Sequence, residues 1–323
     1  MVTFRSDKNP YDPYGFSVNP FSLKVPIQNP YKIINQEKSI AKIEDFKNSI
    51  IKGTENNLLF IVAEEGGGKS HILNYYRNMI NKDEINKNVA IKIECRSRRD
   101  IIGLYPQISN EINRLAKNLK NPDLESSLLE IFAEAGTPGS ISELMRIIRD
   151  ITVRFSRFGY SALYIFLDEF ENSLPPESIT RPGRRLPYER ELNRITPEAI
   201  IQLDSITQLG FVGFIVTMRE SGWKRWNVQF KDKISKYEKD LIICLNNLSI
   251  EDTKKLIDLR LEAPCYRRIE PTIEPPKFND DLIKEIHIKS TGNPRNILKI
   301  SEHLFARAIS IGLKEITKEH IST

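Results

Sequence analysis

The stretch IVAEEGGGKSH, residues 61–71, decides how the rest of the chain is read. An apolar run stops at an alanine and two glutamates. Three glycines follow, then a lysine and a serine at what reads as the start of a helix. Consecutive glycines let neighbouring N–H groups turn toward one point with no Cβ in the way, which makes an anion-binding nest. The positive end of the next helix adds to it. Strand, loop and helix together form a phosphate-binding arrangement in which Glu65, Gly66, Gly67, Gly68, Lys69, Ser70 and His71 surround the anion. Lys69 is placed to reach the β- and γ-phosphates of a nucleoside triphosphate such as ATP, and the Ser70 hydroxyl to ligate Mg²⁺. The usual pattern opens on glycine; Ala63 stands there instead.

Such a site needs an acid at the end of a neighbouring strand. ALYIFLDEFE (162–171) supplies one. Asp168 is expected to hold Mg²⁺, mostly through water. Glu169 is expected to orient and deprotonate the attacking water. GFVGFIVTMRE (210–220) is a further apolar strand ending in the polar Thr217, which could touch the terminal phosphate or the lytic water. In STGNPRNILKI (290–300), Gly292-Asn293-Pro294 stops one helix and starts another, so Arg295 stands in the first turn and could reach the terminal phosphate from a second domain.

The flanking sequence reads as alternating helix and buried strand. Apolar positions in 37–51 recur at helical spacing, and Gly53 ends that helix. Residues 57–63, 88–94, 162–171, 210–220 and 240–245 are apolar runs of the kind that a parallel sheet buries on both faces. Residues 100–158 read as helical, with breaks at Asn121-Pro122 and at 135–140, and Thr196-Pro197-Glu198 as a helix start. Ser249 with Asp252 three residues on forms a capping-box-like start, and no strand pattern follows residue 246. Asn-Pro-aromatic recurs at Asn9, Asn19 and Asn29, in an extended leader expected to pack on the main domain. The expected organisation is a leader (1–37), a parallel α/β domain (38–245) and a small helical domain (246–323).

Composition narrows the class. The 323 residues are 40% hydrophobic and 28% charged, usual for a protein with a real core. No stretch approaches a membrane span, and the N-terminus lacks the apolar core of a signal peptide, so a cytoplasmic location is expected. Cys95, Cys244 and Cys265 lie far apart, against a zinc site or disulfide framework, and Cys244 in LIICL is expected to be buried. A net charge of +5 permits contact with a polyanion without demanding it. The basic stretches 96–99 and 181–185 are the places where duplex DNA phosphates would be met.

With Lys69-Ser70, Asp168-Glu169, Thr217 and GNPR (292–295) in this order, the chain resembles the AAA+ ATPases. Within them it is most similar to the branch that holds replication initiators and transposition and secretion regulators. YGFSVNPFS (14–22) ahead of a helix also resembles that branch. The resemblance covers about residues 15–321. It implies a P-loop fold with a parallel sheet flanked by helices and an all-α lid, with Walker A at Ala63–Ser70, Walker B at Leu163–Glu169, sensor 1 at Thr217 and sensor 2 at Arg295. It also implies homo-oligomers with ATP sites between subunits, completed by an arginine in trans: Arg219 or Arg225, less readily Arg184 or Arg185.

The chain departs from the pattern at Ala63, at Thr217 where asparagine is common, and in ending at Thr323 just after the lid, where initiators carry a winged helix. The expected function is an ATP-hydrolysing molecular switch acting on DNA as a replication, transposition or maintenance regulator. The alternative is a nucleotide-gated signalling or defence scaffold whose partner is a protein. A third reading has Ala63, Glu64 and Glu65 leaving ATP bound but barely hydrolysed.

Overall fold

The structure, a computed structural model, describes residues 9–23, 33–34, 36–53, 57–95, 102–173, 211–224, 242–262 and 270–321. The helix start at Thr196, the third Asn-Pro-aromatic copy, Cys265, the basic stretches 96–99 and 181–185, and Arg184, Arg185 and Arg225 lie outside these residues. The chain divides into two compact units. One comprises Glu37–Glu65 and Lys69–Leu245; the other comprises Met1–Gln36, Gly66–Gly68 and Asn246–Thr323.

The larger unit is an α/β layer structure. Five parallel strands, β1 (Leu58–Ala63), β2 (Val89–Glu94), β3 (Leu163–Asp168), β4 (Val212–Arg219) and β5 (Ile242–Cys244), form one sheet in the order β2-β3-β4-β1-β5. The three central strands β3, β4 and β1 are almost wholly buried, which is why their sequences are continuous apolar runs rather than alternating ones. Helices α1 (Glu37–Ile51) and α2 (Lys69–Asn81) flank β1 in sequence. Tyr164 of β3 donates its hydroxyl to Lys47 O of α1 (2.9 Å), and Tyr76 of α2 donates to Ile40 O (3.3 Å), so two buried phenols bind α1 in place.

Between β2 and β3 the chain forms α3 (Tyr105–Asn118), α4 (Pro122–Ala135) and α5 (Ile141–Arg157). The expected breaks are helix caps. Asn121 Oδ1 accepts Leu124 N–H (3.1 Å) with Pro122 at the first helical position, and Ser140 Oγ accepts Glu143 N–H (3.2 Å). The apolar faces of these helices, including Ile108, Ile112, Leu128, Ile147, Ile151 and Phe155, join Phe60, Ile91, Ile165 and Phe214 of the strands in one core. Cys95 is buried. Cys244 is exposed, against expectation, because β5 is an edge strand paired only with β1 and its last residue faces outward.

The smaller unit is built on α6 (Ile250–Glu262), α7 (Asp280–Ser290) and α8 (Pro294–Ile311). Ser249 caps α6: its Oγ accepts Asp252 N–H (3.1 Å) and donates to Asp252 Oδ2 (2.7 Å). Against the expectation of no strand beyond 246, β6 (Lys277–Phe278) and β7 (Glu315–Ile316) pair in parallel, a bridge too short to leave a periodic signal.

The described part of the leader packs with these helices. Tyr14, Phe16 and Phe21 are buried with Ile297, Leu304 and Phe305. The Phe305 ring meets Tyr11 in a stack (6.2 Å) and Phe16 and Phe21 edge-on (5.9 and 5.5 Å). The repeated Asn-Pro-aromatic motif has a local cause. Asn9 Oδ1 accepts Tyr11 N–H (3.2 Å) and Asn19 Oδ1 accepts Phe21 N–H (3.0 Å), so each asparagine closes a turn across its proline and throws the aromatic inward.

Candidate active site

The strand order brings the expected residues of the larger unit together. β4 lies between β1 and β3, so the chain leaving β1 toward Lys69, the end of β3 and Thr217 of β4 share the carboxyl edge of the sheet, where open parallel sheets bind ligands. Ala63 closes β1 opposite Arg219 in ordinary strand geometry, so a Cβ there meets no conformational penalty. The left-handed backbone lies further on, at Gly66 (φ 82°) and Gly68 (φ 94°), where a side chain would be strained. Gly66 has a second reason to be glycine. Its carbonyl accepts Arg295 N–H (3.4 Å), and a Cβ would sit 2.6 Å from Asn293 Oδ1 and 2.7 Å from Arg295 Cβ.

Asn293 caps α8, accepting Arg295 N–H (3.1 Å) and Asn296 N–H (3.3 Å), with Pro294 at the first helical position. The exposed Arg295 side chain therefore stands on the first turn of a firmly capped helix, with Ile297 and Leu298 buried beneath it.

Lys69 opens α2 and is buried. Its ammonium donates to Ala63 O and Glu64 O, both at 2.9 Å. Burial lowers its pKa against the opposing pull of Glu171, Asp168 and Glu169. Ser70 is exposed beside it and hydrogen-bonds Asp168, and His71 is half-buried in the first turn of α2.

Asp168 is buried at the end of β3. Its Oδ1 accepts the Thr217 hydroxyl (2.7 Å) and its Oδ2 faces Lys92 Nζ of β2 (2.8 Å). Burial pushes this carboxyl up, yet the Lys92 ammonium and the hydrogen bonds from Lys92, Thr217 and Ser70 outweigh it and hold the pKa below the usual carboxylate range. Glu169 takes a positive φ of 57°, uncommon for a non-glycine residue. Its N–H donates to Thr217 Oγ1 (3.1 Å), and its Oε2 accepts Asn172 Nδ2 (3.2 Å).

Three residues at this edge were not expected in these roles. Lys92 interrupts the apolar run of β2, and a lysine inside a buried parallel strand was the available signal. Glu171 follows Glu169 by two residues, with its carboxylate buried and raised in pKa by desolvation. Arg219, at the end of β4, places Nε 3.0 Å from Glu171 Oε1 and donates Nη1 to Glu65 Oε2 (2.9 Å). This arginine is engaged by two glutamates of its own chain.

The donor set fits a nucleotide with Mg²⁺. A serine hydroxyl and a carboxylate adjoin as hard oxygen ligands, with a buried lysine at the start of α2. Among the described residues no group of three or more His, Cys, Asp or Glu gathers as a metal cage.

Residues 52–193 match the family model described as AAA domain. No curated protein sequence matches the chain. Among solved structures, the chain is similar to the Aeropyrum pernix ORC2 protein in ADPNP–ADP complexes (TM-score 0.57, 12% identity, 94% of this chain and 70% of that one). It is also similar to the Aeropyrum pernix ORC1 protein in complex with DNA (0.55, 14%, 95% and 68%) and to Drosophila ORC bound to DNA (0.55, 13%, 100% and 66%). The chain thus spans about two-thirds of the length of these structures.

Residues 52–193 carry an AAA domain, and the chain has a P-loop fold of the AAA+ type, with a parallel five-stranded sheet flanked by helices and a helical C-terminal region. Its fold resembles that of the origin-recognition structures. Among the described residues no helix is long and apolar enough to cross a membrane.

Proposed function

We propose that the protein is an ATP-hydrolysing AAA+ switch that assembles into homo-oligomers and acts on DNA. The observation that carries the reading is the convergence of Lys69, Ser70, Asp168, Glu169 and Thr217 on one sheet edge, with Asp168 and Glu169 held by the same threonine hydroxyl.

In this reading the glycine amides and Lys69 bind the phosphates, exchanging the carbonyls of Ala63 and Glu64 for phosphate oxygens. Ser70 and Asp168 hold Mg²⁺, which when bound neutralises charge on the phosphates. Glu169 orients the water and takes its proton, while Thr217 fixes the two acids. Arg295, on the capped start of α8, reports the terminal phosphate to the helical unit. The role of arginine in trans falls to Arg225, Arg184 or Arg185, because Arg219 already pairs with two glutamates.

DNA enters through the two origin-recognition structures seen with DNA and through the basic stretches 96–99 and 181–185. Contacts from those stretches are to phosphates, so binding should weaken steeply with salt.

The test is a steady-state ATPase assay of wild type and Glu169→Gln, beside a DNA mobility assay with ATP across a salt series. The account expects hydrolysis lost in the variant and salt-sensitive, ATP-dependent DNA binding in the wild type. Equal rates remove Glu169 from its role. Absence of DNA binding at every salt concentration removes the DNA half and leaves a switch with a protein partner.

A further inference from the structure

Asp168 is the acid assigned to Mg²⁺, yet in the protein alone both of its oxygens are engaged. Oδ1 takes the Thr217 hydroxyl from β4 and Oδ2 the Lys92 ammonium from β2, so three adjacent strands meet at one carboxylate. The two charged side chains are 7% and 3% exposed. At 2.8 Å this is a buried, hydrogen-bonded ion pair, and such a pair is stable only because each charge answers the other. Glu94, 4.0 Å from Lys92 and half exposed, is a remote second partner.

We infer that Lys92 is the resident counter-cation of the metal site: it keeps Asp168 charge-balanced and aimed, and it makes divalent-cation binding conditional on the phosphates of a nucleotide. A bare Mg²⁺ approaching Asp168 meets a carboxylate already neutralised and an ammonium that repels it. Mg²⁺ carried by a triphosphate arrives with a net negative charge, which both Lys69 and Lys92 attract. Lys92 is in this sense a positioning residue that reaches the reaction through Asp168.

The inference rests on the site being a Mg–nucleotide site, and the experiment separates the two. Wild type, Lys92→Met, Lys92→Gln and Lys92→Arg are melted across a MgCl₂ series at constant ionic strength without nucleotide. Binding of a fluorescent ADP is then followed across the same series. In wild type and Lys92→Arg, Mg²⁺ alone should leave the melting temperature unchanged.

Lys92→Met and Lys92→Gln should melt lower in buffer but be raised by Mg²⁺ alone, because the ion takes the vacated place. Their half-maximal Mg²⁺ concentration for ADP binding should fall about tenfold, a difference of ~1.4 kcal/mol. If Mg²⁺ alone stabilises the wild type, the inference is overturned whatever the variants do. It is equally overturned if folded neutral variants keep the wild-type Mg²⁺ response. If no protein binds ADP at any Mg²⁺ concentration, the nucleotide reading itself fails, and the melts without nucleotide still decide the role of Lys92.

Discussion

Thr217 donates its hydroxyl to Asp168 Oδ1 at 2.7 Å and accepts the Glu169 N–H at 3.1 Å, so one buried threonine on β4 holds two consecutive acids, the last residue of β3 and the one after it. The second bond stabilises the positive φ of Glu169 and so sets where its carboxylate points. Replacing Thr217 by valine keeps the shape and removes both bonds. A stability loss of about 1–3 kcal/mol is expected from the orphaned buried groups. Turnover should fall about 10–100-fold with nucleotide affinity little changed, the signature of a group that acts through positioning. Thr217→Ser should recover most of the rate. Melting curves and a kcat-against-KM comparison check both halves; an unchanged kcat in Thr217→Val would remove the threonine from the catalytic unit.

Arg219 joins Glu65, ahead of the glycines, to Glu171, behind the acid pair. Arg219→Ala leaves the Glu171 carboxylate, 9% exposed, without its cation. Melting should drop by the equivalent of about 1–3 kcal/mol. Lysine should not restore it fully, since one ammonium cannot face two carboxylates as a guanidinium fork does. A melting temperature equal to wild type would show that the ion pair contributes nothing.

The pH dependence follows from Asp168. Its pKa in the folded protein lies below the ordinary value of 3.8. The stability it contributes is therefore fully present above pH 3.8 and is lost as the pH falls through the depressed pKa. Asp168→Asn should flatten this acid limb, while leaving the shape of the curve above pH 5 to other groups. Thermal melts of both proteins between about pH 2 and 6 read the difference. An acid limb identical in the two proteins would contradict the ion-paired state of this carboxyl.

Phe305 gathers three leader aromatics around one ring. Phe305→Ala should cost about 3–5 kcal/mol in the smaller unit, and protease should then cut the leader near residues 9–23. A leader equally resistant in the variant would show that these rings do not hold it.

Most of the strand and helix pattern of the larger unit was legible because its signals are local. Buried parallel strands read as unbroken apolar runs, and helix breaks coincide with capping residues such as Asn121 and Ser140. What was illegible depends on pairing across the fold. Cys244 looked buried from its neighbours, but exposure at an edge strand is a property of the sheet order. The leader aromatics announced burial without naming the surface that receives them. Lys69, Asp168 and Thr217 were legible as types at strand and helix ends, whereas Lys92 acquires its meaning only from the register of β2 against β3. Arg219 looked available to a neighbouring subunit until its two glutamates came into place.

The most direct measurement of the central claim is equilibrium binding of a fluorescent ATP analogue, with Mg²⁺, to wild type, Lys69→Ala and Glu169→Gln. The account predicts saturable binding to wild type and Glu169→Gln with closely similar affinity, and a loss of at least about a hundredfold in Lys69→Ala. Binding that is absent in the wild type, or that survives Lys69→Ala unchanged, would contradict it.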